Sequence, residues 1–146
     1  MENKSIQVTR EAEHKGNSRF ILIFCLMLTF GYMGGIYWLS SIPGNIDPEE
    51  AGLYGIISWT PPALQNLLHI PLFGILAWLW YRTLGCWFTN RRVLLSLSFL
   101  FATGYGVIDE YHQLQVPGRY ASLTDIALNV LGVLLVLWLL NRRKSL

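Results

Sequence analysis

The chain has 146 residues, of which 53% are hydrophobic and only 14% are charged, and its formal net charge is +2. Soluble globular domains carry about 25% charged residues, so this composition excludes an ordinary soluble domain and favours an integral membrane protein. A net charge this small, without a basic groove or stripe, also argues against nucleic-acid binding. Cys25 and Cys86 show no metal-binding or redox spacing, which predicts packing roles for both.

Four apolar segments divide the chain. A membrane span needs about 20 helical residues, because the helix rises about 1.5 Å per residue and the hydrocarbon core is about 30 Å thick. We predict spans at residues 20–39, 64–81, 93–108 and 123–140. The third is short, but its helix can continue through residues 109–113. The predicted fold is therefore all-α, an integral membrane four-helix bundle over residues 20–141.

The segments outside the spans are predicted in the same way. Residues 1–19 form a polar tail and residues 142–146 a basic tail. In the first outer loop, Asp47-Pro48-Glu49-Glu50 is typical of a helix start, with an N-cap, a proline at N1 and an acidic first turn. The apolar residues up to Trp59 can lie on the outer leaflet, which predicts a short interfacial helix in this loop.

The positive charges predict an orientation. Ten of the 11 Lys and Arg residues fall in the amino tail, the 82–92 loop or the carboxyl tail, and only Arg119 falls on the opposite side of the predicted spans. The positive-inside rule then places both termini in the cytoplasm and the loops 40–63 and 109–122 outside. We expect a multi-pass membrane protein with both termini cytoplasmic.

Residues 109–132 contain a polar cluster within an otherwise apolar sequence. Its members are Asp109, Glu110, His112, Gln113, Arg119, Asp125 and Asn129. Ionisable groups near hydrocarbon are costly, so they usually mark a site or a buried structural network. The predicted topology places this cluster at the same outer depth as Ser40 and Ser41, which follow span one, and His69, which begins span two.

Helical spacing predicts which of these residues share a face. Asp109, His112 and Gln113 lie at i, i+3 and i+4, and Asp125, Asn129 and Gly132 lie at i, i+4 and i+7. Gly132 would let a neighbouring helix approach closely, and the GxxxG at Gly31 and Gly35 is also suited to tight helix packing.

The order and spacing of these residues match a known pattern. The matching positions are Ser41 with Pro43, His69, Asp109-Glu110-x-x-Gln113, Pro117-Gly118-Arg119, Ser122-x-x-Asp125 and Asn129-x-x-Gly132. In these positions the chain resembles, over about residues 36–140, the VanZ-like family of small bacterial membrane proteins, named for a member linked to resistance to the glycopeptide teicoplanin. The resemblance implies the bacterial cytoplasmic membrane and the cell envelope, but no reaction. Asn66 departs from the pattern, since the family commonly has Lys there.

Each polar residue also has a structural interpretation. Ser122 and Asp125 are spaced as a capping box for the fourth span. Arg119 can form an ion pair with the acidic residues at 109–110 and fix the following loop. His69 can donate to a carbonyl freed by the nearby proline, and Asn129 can hydrogen-bond between helices. The joint convergence of these groups at one depth favours a site over structure alone.

The convergent residues define candidate roles. His69, Asp109 and Glu110 are candidate general acid–base groups, since burial and like charge can move carboxylate pKa values toward neutrality. Arg119 is a natural ligand for phosphate or carboxylate. The other candidate ligand-binding residues are Gln113, Asp125, Asn129 and Ser41. The His and carboxylates could hold a divalent ion, but no HExxH or similar spacing occurs, so no metal site is predicted and no cofactor can be named.

Two functions are compatible with this sequence. The first is a cell-envelope membrane protein whose outer polar pocket binds or modifies an anionic lipid-linked or glycopeptide-related ligand, with membrane lipids and a lipid-linked envelope precursor as partners. The alternative is a non-catalytic subunit or scaffold that docks with other membrane subunits. Whether the protein is an enzyme stays open at this point.

Overall fold

The computed structural model describes residues 2–44 and 66–142, and it describes side chains over residues 19–44 and 66–142. These residues form four helices and no strand: α1 (Glu2–Ser40), α2 (His69–Leu84), α3 (Arg91–Gln113) and α4 (Leu123–Arg142). The all-α prediction is confirmed for this part of the chain. The interfacial helix predicted in the first outer loop lies outside the described residues.

Three of the described helices are long and apolar enough to cross a membrane. They are Arg19–Ser40 within α1 and the whole of α3 and α4. As predicted, α3 continues through the acidic residues to Gln113. In contrast, α2 has only 16 residues, fewer than the about 20 helical residues that cross a hydrocarbon core. Pro71 fits the first turn of α2, where its missing N–H leaves no hydrogen bond unmade.

Helix α2 packs against each of the other three helices. The apolar core that they share consists of Ile36, Phe73, Leu76, Ala77, Ala102, Val133 and Leu137. The closest approach is between α2 and α4, where a Cβ on Gly132 would lie 2.1 Å from the backbone oxygen of Ile70. The close packing predicted for Gly132 is therefore confirmed. Gly31 and Gly35 differ, since no described atom lies within 4 Å of a Cβ built on either.

Polar contacts also fix α1 against its neighbours. The hydroxyl groups of Thr29 and Thr83 are 2.8 Å apart. Tyr105 donates its hydroxyl proton to the carbonyl of Met33 at 2.7 Å, and Tyr32 donates to the carbonyl of Leu72 at 3.0 Å. These bonds satisfy polar groups in an apolar environment, where an unpaired group is costly.

Two Pro-Gly turns meet at the end of α1. The backbone N–H of Gly44 donates to the carbonyl of Pro117 at 3.0 Å. A Cβ on Gly44 would lie 2.2 Å from the oxygen of Gly118, and Gly118 has a φ of 73°, which favours glycine. This contact holds the loop after α3 beside α1 and so positions the next residue, Arg119.

Candidate functional site

A pocket opens where the ends of the helices meet. The carboxyl ends of α1 and α3 and the amino ends of α2 and α4 contribute to this region. The pocket has a volume of about 180 Å³ and is lined by Ile36, Leu39, Ser40, Leu68, His69, Leu72, Phe73, Asp109, Gln113 and Arg119. It therefore combines an apolar wall with a small set of polar and charged groups, which is the usual composition of a ligand site.

The two neighbouring acids of α3 are both buried and share one amide. Gln113 donates through Nε2 to Oδ2 of Asp109 at 3.2 Å and to Oε1 of Glu110 at 3.4 Å. Glu110 is only 2% exposed and Asp109 only 3%. The other oxygen of Asp109, Oδ1, is buried and has no hydrogen-bond partner among the described residues. Gln113 therefore connects the two acids through its amide group.

The amino end of α4 is capped in a way that the sequence shows only in part. Ser122 accepts the N–H of Thr124 on its Oγ at 3.1 Å, as an N-cap residue does. In a capping box the side chain at Asp125 would accept the N–H of Ser122. Here Oε2 of Glu110 accepts that N–H, at 3.2 Å, from another helix.

Asp125 therefore does not accept the N–H of Ser122, which is the capping-box role that its spacing indicated. Its side chain is 6% exposed, and its Oδ1 is buried without a partner in the described part of the chain. The capping box therefore does not account for the burial of Asp125.

His69 contacts Asn129 across the α2–α4 interface. Nδ1 of His69 and Oδ1 of Asn129 are 2.9 Å apart. Because an amide oxygen can only accept, Nδ1 donates in this bond and Nε2 is left for another partner. Asn129 fits against Gly106, where a Cβ would lie 3.2 Å from the amide nitrogen. The histidine is thus held by Asn129 rather than by a carbonyl near Pro71.

Three side chains from three helices could hold a metal ion. His69 of α2, Glu110 of α3 and Asp125 of α4 each offer a ligand atom, and these atoms all lie within 4.8 Å of one another. Their positions in the sequence are too far apart for a local metal-binding motif, which is why the spacing analysis predicted none.

Arg119 reaches back to α1. Its Nε donates to the carbonyl of Ile42 at 3.0 Å and its Nη2 to the carbonyl of Leu39 at 3.3 Å. Within residues 19–44 and 66–142 the guanidinium bonds these carbonyls and no carboxylate. Burial lowers the pKa of Arg119, whereas the nearby charges of Asp109, Glu110 and Asp125 raise it. Arginine stays protonated in proteins, so it brings a fixed positive charge to the pocket.

Ser41 and His112 form a separate contact beside the pocket. Ser41 donates its hydroxyl proton to the carbonyl of Tyr37 at 2.7 Å, and its Oγ lies 2.9 Å from Nε2 of His112. The His112 ring stacks on Tyr37 with the centroids 4.2 Å apart. The serine that lines the pocket is its neighbour Ser40. The predicted site therefore missed Ser40, although a serine pair at a helix end was a visible signal.

The comparisons with known proteins identify one family. A family model described as VanZ/LLP1 matches residues 8–143. No curated protein and no solved structure matches the chain.

Proposed function

We propose, since the chain belongs to the VanZ/LLP1 family of membrane proteins, that it acts in the bacterial cell envelope by binding an anionic ligand in its polar pocket. The ligand is a lipid-linked envelope precursor or a glycopeptide-related compound. The pocket would then be the part of the molecule that accounts for the link between the VanZ-like family and teicoplanin resistance.

The observation that carries this proposal is the composition of the pocket wall. Ile36, Leu39 and Leu72 offer an apolar surface, and Arg119 is the one cation among the lining residues. Two of the five N–H groups of Arg119 donate to the carbonyls of Ile42 and Leu39. The other N–H groups remain available for a phosphate or carboxylate. An amphipathic ligand can place its chain on the apolar wall and its anionic head group beside the guanidinium.

The same pocket offers groups for modifying a bound ligand. Nε2 of His69 is not used by the bond to Asn129, and Asp109, which lines the pocket, has one oxygen without a partner among the described residues. These are the side chains that general acid–base catalysis uses most often. Gln113 and Asn129 act as positioning residues, because each is bonded to a candidate acid–base side chain.

Binding of an anionic lipid is testable with the full chain in nanodiscs of neutral phosphatidylcholine. The probe is a long-chain polyprenyl phosphate, and the uncharged polyprenol is its matched control. We expect the phosphate to bind at least about 10-fold more tightly, and Arg119→Lys to reduce this preference by about 10-fold, because a lysine cannot make the planar fork of an arginine. Equal affinity for the two lipids would contradict an anion-binding pocket.

Cellular function can be tested with variants matched for protein level. Glu110→Gln and His69→Gln are expected to abolish any protection against teicoplanin that the unmodified chain gives, whereas His112→Gln should retain it. The control is suitable because His112 contacts Ser41 and Tyr37 outside the pocket.

A scaffold function is the second candidate, and the open glycines of α1 favour it. No described atom lies within 4 Å of a Cβ built on Gly31, Gly34 or Gly35, so a helix of another membrane subunit could pack closely there. If Glu110→Gln and His69→Gln reduce only protein level or thermal stability, and the chain purifies with a stoichiometric partner, the scaffold function is favoured.

The membrane arrangement that we propose is a four-helix bundle with both termini in the cytoplasm of a bacterial cell. The short interfacial helix predicted for the first outer loop is part of this proposal. The 16 residues of α2 form a helix about 24 Å long. This helix spans the membrane as the fourth member of the bundle if the residues before His69 extend the segment toward the outer surface. The distribution of Lys and Arg supports the orientation.

Cysteine labelling tests the orientation. Tyr120 is 85% exposed, so Tyr120→Cys should react with an impermeant reagent in intact spheroplasts. Gly118 is less suitable because its φ of 73° would strain a cysteine. The native Cys86, which is exposed after α2, is the internal control and should react only after the membrane is permeabilised. The reverse pattern would overturn the orientation.

A further inference from the structure

We propose that His69, Glu110 and Asp125 bind one divalent transition-metal ion, with zinc or manganese the best match. Each residue comes from a different helix, and the three ligand atoms lie within 4.8 Å of one another. The ligand atoms of a tetrahedral zinc ion, bound at about 2.0 to 2.2 Å, lie about 3.3 to 3.6 Å apart. Side-chain rotations that move these atoms by up to about 1.5 Å would therefore close the site.

The ring of His69 is held by a polar partner, as in many metal sites. Nδ1 of His69 lies 2.9 Å from the side-chain oxygen of Asn129, which leaves Nε2 as the nitrogen available to a metal. Histidines that bind metals nearly always donate their other ring N–H to such a partner, which fixes the ring and the tautomer. Asn129 is itself 1% exposed and fixed on α4.

Glu110 is also oriented by outer partners. Its Oε2 accepts the backbone N–H of Ser122 and its Oε1 accepts the amide of Gln113. Each carboxylate oxygen has two lone pairs, so these bonds leave room for a metal bond. The arrangement resembles the outer hydrogen bonds that hold carboxylate ligands in metal sites.

Asp125 supplies an independent indication of a ligand. Its Oδ1 is buried and has no partner among the described residues, although the side chain is more than nine-tenths buried. Because Glu110 has taken over the bond to Ser122, no capping role explains the burial of Asp125. A bound cation would satisfy this oxygen.

The charge balance points the same way. Asp109, Glu110 and Asp125 bring three formal negative charges to this buried region, against the single positive charge of Arg119. Uncompensated buried charges are costly, and a divalent ion would neutralise the excess. One imidazole nitrogen with two carboxylates matches zinc or manganese better than magnesium or calcium, which prefer oxygen ligands only.

Metal content of the full chain is the first test. The purified protein is treated with a chelator, incubated with Zn²⁺, Mn²⁺, Mg²⁺ or Ca²⁺, freed of unbound ions, and analysed by inductively coupled plasma mass spectrometry. We expect one Zn²⁺ or Mn²⁺ per chain and weaker retention of Mg²⁺ and Ca²⁺. Retention of less than a tenth of an ion per chain for every metal would overturn the proposal, as would preferential retention of Mg²⁺ or Ca²⁺.

Variants then assign the ligands. His69→Gln, Glu110→Gln and Asp125→Asn should each weaken binding by about 100-fold or more, and Asn129→Leu by about 10-fold, as losses of outer partners do. His112→Gln is the matched control and should bind the metal like the unmodified chain. Equal weakening in the control, or full binding in the three ligand variants, would overturn the assignment.

A spectroscopic test needs no variant and so does not depend on how the variants fold. Electron spin echo spectra of the Mn²⁺-loaded protein should show coupling to one imidazole nitrogen. Its absence would overturn the role of His69. Metal binding does not require the lipid ligand of the proposed function: a chain that binds zinc but not polyprenyl phosphate retains this site and loses only that function.

Discussion

The apolar core and most of the polar cluster lie on the same helices, and five of the seven residues of the cluster are as deeply buried as the core. In the core, Leu76 and Val133 are completely buried. In the cluster, Glu110 and Asn129 are nearly so, yet Asp109, Asp125 and Asn129 each retain a buried polar atom without a partner in the described residues. Stability explains the burial of the core, because the packing of apolar side chains favours the folded state. It does not explain the cluster, since apolar replacements of buried charges are often neutral or stabilising.

The largest effect on stability is expected from a substitution at the closest contact between α2 and α4, which lies between the apolar core and the polar cluster. Gly132→Ala would place a Cβ 2.1 Å from the backbone oxygen of Ile70, so the helices must separate. We expect the free energy of unfolding to fall by about 3 kcal/mol, at the upper end for overpacking. The measurement is reversible unfolding in mixed detergent.

Gly104→Ala is the matched control for this change. No described atom lies within 4 Å of a Cβ at Gly104, so alanine should be neutral or stabilise the helix by up to about 1 kcal/mol. If the two substitutions had the same effect, the close α2–α4 contact would be contradicted.

A second experiment compares the two regions directly. Leu76→Ala should cost about 2 to 3 kcal/mol, through the cavity that it leaves in the core. Glu110→Gln should change stability by about 1 kcal/mol or less. Glutamine can still accept the N–H of Ser122 but not also the amide of Gln113, and removal of one buried charge offsets this lost bond. Both values come from the same unfolding assay.

The ligand assays should give the opposite order. Leu76→Ala is expected to retain metal and lipid binding in the fraction that folds, and Glu110→Gln to lose metal binding. If Glu110→Gln destabilised the protein as much as Leu76→Ala and left binding unchanged, the cluster would be structural.

Arg119 connects the cluster to α1, and its replacement is expected to have an intermediate effect. Arg119→Lys cannot reproduce the two bonds to the carbonyls of Ile42 and Leu39. We expect a loss of about 1 to 2 kcal/mol and faster hydrogen exchange of the Gly44 N–H, which donates to Pro117. Unchanged exchange at Gly44 would mean that the loop is held by the Pro-Gly turns alone.

Much of the core could be predicted from the sequence because its signals are local. Apolar runs predicted a helix in each of the four segments, although α1 begins at Glu2, within the predicted polar tail. The short third run predicted the continuation of α3 to Gln113, and helical spacing placed Gly132 on a packed face. α2 was harder, since the apolar run from residue 64 does not show that this helix begins at His69, with Pro71 in its first turn.

The cluster depends on contacts that no local pattern encodes. Ser122 was predictable as an N-cap, but its reciprocal partner is Glu110 on another helix rather than Asp125. The predicted shared face of α3 correctly paired Asp109 with Gln113, whereas His112 turns toward Ser41 and Tyr37. The meeting of His69, Glu110 and Asp125 requires three helices to pack first.

The smallest effect is expected at the edge of the cluster. Ser41 bonds the carbonyl of Tyr37 and the ring of His112, and both residues are partly accessible to water. Ser41→Ala should therefore cost at most about 1 kcal/mol and leave lipid and metal binding unchanged. Ser40→Ala, which alters the buried serine that lines the pocket, should weaken lipid binding at similar stability. If Ser41→Ala weakened binding and Ser40→Ala did not, the ligand would have to bind on the His112 side of α1. Ser41 and His112 would then belong to the binding site, and Ser40 would not.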